Sequence, residues 1–319
     1  MPAECKNAVF ETARTASQVT ERIDPQPGSW PPPEEGPDPH IGMVYGGQYR
    51  IDERMGAGGM GAVYRGTQLS VDRPVAIKLI APSVEQHAQH VQRFRREAEA
   101  LAKLRHPNTV NLLDFGVTDN GRLFIVMELL SGTDLEQLLA KDGPIPLPEA
   151  LRLLRQIAQS LSEAHALGII HRDLKPSNVF LCHVEGGDSF VKVMDFGVAG
   201  FQQDEDNARS ALTAKGTVLG TAAYMSPEQA QGWAVDARSD LYSLGVVLFE
   251  MLTGRPPFQA NSAVSLLIAH VSEEPPRLGD VCADLPDREL AQNLLDELLA
   301  KQPDKRIAGA TDLIIGSNF

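Results

Sequence analysis

The sequence predicts an α+β fold in two lobes, a small β-rich lobe followed by a larger helical lobe. Short strand-like runs separated by glycines and turn residues occupy residues 49–128. Beyond residue 132 the apolar residues recur at helical spacing instead. No internal repeat interrupts this order. We therefore expect the small lobe at about residues 46–130 and the large lobe at about residues 131–319.

Ten elements are predicted from local pattern. In the small lobe, β-branched and apolar residues predict strands over residues 49–55, 62–67, 75–80, 110–115 and 123–128. A helix over residues 84–104 is expected after the third strand and ends before Pro107. In the large lobe, helical periodicity predicts helices over residues 149–167, 239–252, 264–271 and 288–301.

Residues 1–45 precede the small lobe and contain 8 of the 22 prolines, with little apolar periodicity. Such a composition cannot bury enough apolar surface to offset the entropy of ordering the chain. We predict a disordered, proline-rich leader here. It is either a plain solvated tail or a docking segment for a partner domain, and the sequence leaves both readings open.

Charge and composition disfavour several classes of function. The formal net charge is −13 and the sequence pI is about 5.1, which argues against nucleic acid or an anionic membrane as the main partner. The three cysteines lack metal-ligand spacing. No apolar run approaches the roughly 18 residues that span a bilayer, and no signal peptide is visible. We expect a cytoplasmic chain that has no nucleic-acid partner and contains no membrane segment.

A glycine motif of the form G-x-G-x-x-G runs from Gly56 to Gly61. Alone it is unspecific, because dinucleotide-binding folds carry it as well. Those folds need a helix directly after the glycines, whereas here strand-like residues follow and Val63 completes G-x-G-x-x-G-x-V. The context favours a hairpin over a nucleotide, since glycines let backbone N–H groups approach phosphate oxygens closely.

A lysine within an apolar strand forms the second part of the pattern. Lys78 lies in the third predicted strand, where an unpaired ammonium would be costly to bury. It therefore needs an anion from a ligand and a carboxylate from the protein. Glu97 on the following helix can supply that carboxylate. Glu99 is the nearest competitor, but it lies about 200° away around the helix.

The segment from His171 to Asn178 is the most informative stretch of the chain. Asp173 can accept and orient the proton of a substrate hydroxyl, and Lys175 can neutralise charge on a moving phosphoryl group. Asn178 offers an oxygen ligand of the kind that Mg²⁺ prefers. Asp195, which opens an Asp-Phe-Gly sequence, offers another.

These motifs, in this order and spacing over roughly residues 49–310, resemble those of the eukaryotic-type (Hanks-type) serine/threonine protein kinases. Residues 58–64 and 220–229 are most similar to the bacterial branch of that family. Ser226 stands where the family usually has alanine. The resemblance implies a protein kinase fold. It also implies an enzyme that transfers the γ-phosphate of ATP, with Mg²⁺ or alternatively Mn²⁺ as the metal, to serine or threonine hydroxyls of proteins.

The same resemblance implies roles for individual residues. Catalytic roles fall to four of them: Asp173, Lys175, Lys78 and Glu97. Asn178 and Asp195 would hold the metal, and Thr221 would position the substrate. The ATP site would comprise the glycine loop, the residues around adenine and the hinge between the lobes: Met55, Gly56, Ala57, Gly58, Gly59, Met60, Gly61, Ala62, Val63, Ala76, Lys78, Met127, Glu128, Leu130 and Phe180.

Regulation and the braces of the large lobe are implied in the same way. Arg172 could pair with a phosphothreonine in the loop after Asp195, with Thr213 or Thr217 as the acceptor of an autophosphorylation in a homodimer. Two further contacts are expected. Asp240 would brace the catalytic loop from a buried helix, and Arg306 would pair with Glu228.

Two alternative functions stay open. A pseudokinase with the same fold would only bind or scaffold, but such proteins normally lose one of three residues that are present here, namely Lys78, Asp173 and Asp195. A small-molecule kinase of related fold is the second alternative, and it would lack the sequence Ser-Pro-Glu at 226–228.

Overall fold

A computed structural model of the chain describes residues 38–58, 61–81, 88–118, 121–183, 189–196 and 217–316. It confirms the predicted fold class, with a β-rich lobe followed by a helical one. The small lobe is a six-stranded antiparallel sheet in the order β1-β2-β3-β4-β6-β5. Its strands are β1 (Val44–Tyr45), β2 (Tyr49–Gly58), β3 (Gly61–Gln68), β4 (Arg73–Ile80), β5 (Leu112–Val117) and β6 (Leu123–Glu128).

The two faces of this sheet have different neighbours. Ile51, Tyr64 and Ile77 are fully buried together in the apolar core of one face. Helix α1 (Ala88–Leu101) covers the other face, where its Phe94 packs against Ile80 and Ile125. Because side chains alternate along a strand, Lys78 shares the face of Ile80, toward α1. Residues 84–87, the first four of the predicted helix 84–104, lie outside the described residues.

Residues 38–45 belong to the small lobe rather than to the predicted leader. Asp38 accepts a hydrogen bond from the Tyr64 hydroxyl at 3.0 Å, and the Nδ1 atom of His40 lies 2.5 Å from the Tyr45 hydroxyl. His40 and Tyr45 are both buried. A proline-rich composition hides this packing, because the anchors are single polar and aromatic side chains without a period. Residues 1–37 lie outside the described part of the chain.

A second, three-stranded sheet lies at the junction of the lobes and was not predicted. It consists of β7 (Gly132–Asp134), β8 (Val179–Cys182) and β9 (Phe190–Val193), in that order. These strands have three or four residues each, which is too short for a recognisable alternation. Residues 171–178, which the sequence predicts to be catalytic and which we call the catalytic segment, run directly into β8.

Helices make up most of the large lobe, which contains the largest apolar core. They are α2 (Leu135–Asp142), α3 (Leu147–Ala166), α4 (Thr217–Ala222), α5 (Pro227–Ala230), α6 (Ala237–Thr253), α7 (Ala263–Ser272), α8 (Leu278–Val281), α9 (Arg288–Leu298) and α10 (Ala310–Gly316). The four helices predicted for this lobe are confirmed as α3, α6, α7 and α9, with ends that differ by up to three residues. None of the described helices is both long and apolar enough to span a membrane.

Helix α6 is buried on almost every side and lies at the centre of this lobe. Asp236 caps its N-terminus by accepting from the Arg238 amide, and Gly254 ends it in a left-handed conformation with φ 75°. A helix that is apolar all round belongs in the interior. The few polar side chains that it carries must therefore find partners within the protein.

A buried ion pair joins Glu228 of α5 to Arg306, which lies between α9 and α10, as expected. The two guanidinium nitrogens of Arg306 lie 2.7 and 2.8 Å from the two carboxylate oxygens of Glu228. Ser239 donates to the same carboxylate at 2.5 Å. Burial alone would raise the pKa of Glu228, but these hydrogen bonds hold it below its ordinary value.

Removal of one partner from this pair should destabilise the fold strongly. We expect Arg306→Leu to lower the free energy of unfolding by about 3–5 kcal/mol, because it leaves the Glu228 carboxylate buried without its counter-charge. Urea unfolding followed by circular dichroism measures the change. The matched control is Arg277→Leu, since Arg277 makes an exposed pair with Asp296 at 3.6 Å. That pair should contribute less than about 1 kcal/mol, and equal losses in the two variants would contradict this account.

Candidate active site

A carboxylate of helix α6, that of Asp240, binds the backbone of the catalytic segment. Asp240 accepts from the backbone N–H groups of His171 and Arg172, each at 2.8 Å. The Nε2 atom of His165 on α3 contacts the same carboxylate at 2.8 Å. Arg172 adopts φ 67°, a left-handed conformation that is unfavourable for a residue with a side chain. Asp240 thus braces the segment as the sequence predicts.

Four predicted site residues are joined to one another by hydrogen bonds. The ammonium of Lys175 lies 2.9 Å from the Asp173 carboxylate and 3.1 Å from the Thr221 hydroxyl. The side-chain amide of Asn178 donates to the Asp173 carbonyl at 2.7 Å and lies 3.3 Å from its carboxylate. Asp173 and Asn178 are more than nine-tenths buried. A hydroxyl that reaches Asp173 would therefore find a carboxylate of fixed orientation beside a fixed positive charge.

Lys78 is paired with Asp195 in this structure, and not with Glu97 as predicted. Its Nζ atom lies 2.7 Å from Oδ1 of Asp195. Burial alone would raise the pKa of Asp195, but the neighbouring Lys78 ammonium holds it below its ordinary value. Lys78 is itself buried, so the physical reason for expecting a carboxylate partner is correct. The partner differs because tertiary position, rather than chain order, decides which carboxylate reaches it.

Glu97 instead makes a long contact of 3.7 Å with Arg93, one turn earlier on α1. Its Oε2 atom is buried and lacks a hydrogen-bond partner within the described structure. Burial raises the pKa of Glu97, and the charges of Arg93 and Arg172 oppose that shift. Glu97 therefore lies near the site with unused hydrogen-bonding capacity.

Two oxygen donors suit a divalent cation. The nitrogen of the Asn178 amide donates to Asp173, which leaves the Oδ1 atom of the same amide as an oxygen that can accept or bind a cation. Met194, the residue before Asp195, donates its N–H to the Asn178 carbonyl at 2.9 Å, so Asp195 follows directly. Mg²⁺ sites commonly combine one or two such protein oxygens with substrate phosphates. The residues present fit Mg²⁺ or Mn²⁺ on this chemistry.

Four of the residues predicted to surround ATP lie on one face of the small sheet. Val63 is opposite Lys78, and Ala76 is opposite Met127, in neighbouring antiparallel strands. Opposed residues share a face, so all four are directed toward the side of α1. Met127 follows Ile125 by two residues in β6 and packs against the same small cluster. This arrangement provides one apolar wall for a planar ring.

The remaining members of that set are placed less completely. Phe180 lies in β8 opposite Lys192, and the N–H of Glu128 is already donated to the Asn111 carbonyl at 3.1 Å. Glu128 can therefore offer a nucleotide only its carbonyl. The described glycine-loop residues form the ends of β2 and β3: Met55, Gly56, Ala57, Gly58, Gly61 and Ala62. Leu130 follows β6, and Gly59 and Met60 lie outside the described residues.

The regulatory predictions fall at the edge of the described structure. Thr213 lies outside it, and Thr217 is the first residue of α4. The carbonyl of Arg172 accepts from the Gln229 side chain at 2.7 Å, which ties the catalytic segment to α5. Arg172 lies near Glu97 and directly precedes Asp173, whereas residues 197–216, which contain Thr213, lie outside the described part of the chain.

Two contacts of the site were missed from sequence. Lys192 in β9 donates to the Glu128 carboxylate at 2.7 Å and so ties the hinge to the second sheet. The argument applied to Lys78, a lysine between apolar strand residues, would have found it. His165, which contacts Asp240, carries no such sequence signal, because it lies on a helix with ordinary periodicity.

Comparison with known proteins identifies relatives over most of the chain. Residues 49–315 match the family described as the protein kinase domain. The serine/threonine-protein kinase pkn3 of Myxococcus xanthus is 41% identical over 273 residues, 86% of this chain and 50% of that protein. For PrkC of Bacillus subtilis the identity is 37% over 273 residues, with 86% and 40% covered. The chain thus spans half or less of the length of these relatives.

Solved structures agree with the sequence relatives. The kinase domain of PknI from Mycobacterium tuberculosis superposes with a TM-score of 0.66 at 27% identity, covering 87% of this chain and 97% of that domain. The agreement extends over both lobes, since the match covers most of each chain.

The glycine motif offers a test of which of its glycines the fold requires. At Gly61, with φ 133°, an added Cβ would lie 1.9 Å from the Leu79 carbonyl oxygen, whereas at Gly58 it would meet nothing within 4 Å. We expect Gly61→Ala to lower the free energy of unfolding by about 1–3 kcal/mol or more through this overlap. Gly58→Ala should change it by less than about 0.5 kcal/mol. Urea unfolding measures both, and similar stabilities for the two variants would refute the steric assignment.

Proposed function

The chain belongs to the protein kinase family, and from this premise we propose that it transfers the γ-phosphate of Mg-ATP to serine and threonine hydroxyls of proteins. The observation that carries the proposal is the group formed by Asp173, Lys175 and Thr221, joined by hydrogen bonds of 2.9 and 3.1 Å. It joins a proton acceptor, a cation and a hydroxyl from the substrate side. The relatives named serine/threonine-protein kinases support the same choice.

Asp173 would orient the incoming hydroxyl and accept its proton as the bond to phosphorus forms. The carboxylate is held by Lys175 and by the Asn178 amide, so it does not need to reorganise during the reaction. Lys175 would also offset negative charge on the transferred phosphoryl group. Thr221 accepts from the same ammonium, which links the substrate-side segment to the catalytic group.

Nucleotide binding requires Lys78 and Asp195 to serve a ligand rather than each other. A divalent ion at Asn178 and Asp195 would supply charge neutralisation for the phosphates. Lys78 would then exchange Asp195 for Glu97, whose buried Oε2 atom lacks a hydrogen-bond partner among the described residues. On this proposal the Lys78–Asp195 pair is a resting arrangement of the charges, and the active arrangement differs from it by a change of partner.

Substitution of either central charge should abolish transfer without unfolding the protein. We expect Lys78→Met and Asp173→Asn each to reduce the rate of phosphate transfer to a general acceptor protein at least about a hundredfold, because positioning and charge supply most of the catalysis. Radiolabelled ATP measures the rate, and circular dichroism checks the fold. Lys103→Met is the matched control, since Lys103 is an exposed lysine near the end of α1. Wild-type activity in Lys78→Met or Asp173→Asn would overturn the proposed function.

We further propose autophosphorylation at Thr213 or Thr217 as the step that activates the enzyme in a homodimer. A phosphothreonine dianion can pair bidentately with Arg172 and so order the loop next to Asp173. Mass spectrometry after incubation with Mg-ATP should find phosphate on one of these threonines in the wild type and on neither in Asp173→Asn. Absence of phosphate from both threonines in the wild type would contradict this mode of regulation.

A further inference from the structure

Helix α7 carries a fully buried histidine, His270, which is not part of the group around Asp173. Its ring packs edge-to-face against Tyr242 and Phe258, with centroid distances of 5.6 and 5.0 Å. Both ring nitrogens have partners. Nδ1 lies 2.9 Å from the Tyr242 hydroxyl, and Nε2 lies 3.0 Å from the carbonyl oxygen of Ala223.

These partners define the proton positions on the ring. A carbonyl oxygen only accepts, so Nε2 of His270 donates to Ala223, and the neutral ring then accepts at Nδ1 from Tyr242. Burial, reinforced by the nearby Lys301 charge, lowers the pKa of His270 to about 4. Lys301 itself donates to the His270 carbonyl at 3.0 Å, at the C-terminal end of α7. The ring is therefore neutral near pH 7 and makes both hydrogen bonds at once.

The carbonyl that His270 holds belongs to the segment that adjoins the catalytic group. Thr221, two residues before Ala223, accepts from Lys175. Tyr224 follows Ala223, and its carbonyl accepts a hydrogen bond from the Ser243 hydroxyl of α6 at 2.8 Å. Ala222 is buried in an apolar cluster with residues of α7. Residues 221–225 are thus attached at one end to the catalytic group and further along to α6 and α7.

We propose that His270 is a positioning residue for the protein substrate, because its bond to Ala223 fixes the backbone of residues 221–225 beside Asp173. The inference rests on the proposed kinase function and extends it to the acceptor side of the site. The partners of His270 lie outside the predicted nucleotide site, so its loss should affect the acceptor and not ATP. A histidine that served only to fill the core would show no such selectivity.

Two amide variants separate the roles of the ring nitrogens. The shorter side chain in His270→Asn can replace Nδ1 and keep the Tyr242 contact, but it cannot reach Ala223. The longer side chain in His270→Gln can replace Nε2 and keep the bond to Ala223. We expect His270→Asn to raise the KM for myelin basic protein about tenfold, with the KM for ATP within about twofold of wild type. His270→Gln should stay within about threefold for both substrates.

Val264→Ala is the matched control, because Val264 is exposed on the same helix; it should leave both KM values unchanged. Equal acceptor KM values in His270→Asn and His270→Gln, whether normal or raised, would overturn the proposal. If His270→Asn does not fold, hydrogen–deuterium exchange of residues 221–225 in His270→Gln decides instead, since exchange faster than in the wild type would also overturn it. A wild-type protein that transfers no phosphate to any acceptor would refute the kinase function itself, and the wild-type rate reports this separately.

Discussion

The rest of the catalytic segment depends on one buried carboxylate, that of Asp240. It lies near the start of the most buried helix and accepts from two successive backbone N–H groups, of His171 and Arg172. The left-handed conformation of Arg172 costs on the order of 1 kcal/mol or more. Loss of the acceptor would leave that strain uncompensated and two N–H groups without their partner. The backbone conformation of the segment is thus maintained by a side chain from the interior of the large lobe.

A second constraint acts on the buried ammonium of Lys78. An unpaired charge is costly at low dielectric, so this ammonium needs a carboxylate partner, and the sequence predicted Glu97 for it. In this structure Asp195 pairs with Lys78. Glu97 instead has a raised pKa and a buried oxygen atom without a hydrogen-bond partner among the described residues. We propose that a cation at Asp195 would neutralise that carboxylate and leave Glu97 as the partner of Lys78. On this proposal, ligand binding is coupled to the position of α1, the helix that carries Glu97.

Sequence reasoning succeeded where a local period or a dense motif exists. The strands around Lys78 and the helix around Asp240 were predicted because alternation and helical spacing report burial directly. The short strands β7, β8 and β9 were missed, since three or four residues carry no period. The partner of Lys78 was predicted wrongly for a different reason. Which carboxylate reaches an ammonium is decided by how α1 sits on the sheet, and no spacing along the chain specifies this.

Helix α6 explains how these separate parts are kept in register. Its interior position keeps water from its buried polar side chains, so these side chains bond to other groups of the protein. Asp240 bonds to the catalytic segment, Ser243 to the Tyr224 carbonyl, and Ser239 to Glu228. Tyr242 extends the set to His270 and thereby to α7. This buried helix thus sets the relative positions of the proposed proton acceptor and the substrate-side backbone, because Asp240 bonds to the one segment and Ser243 to the other.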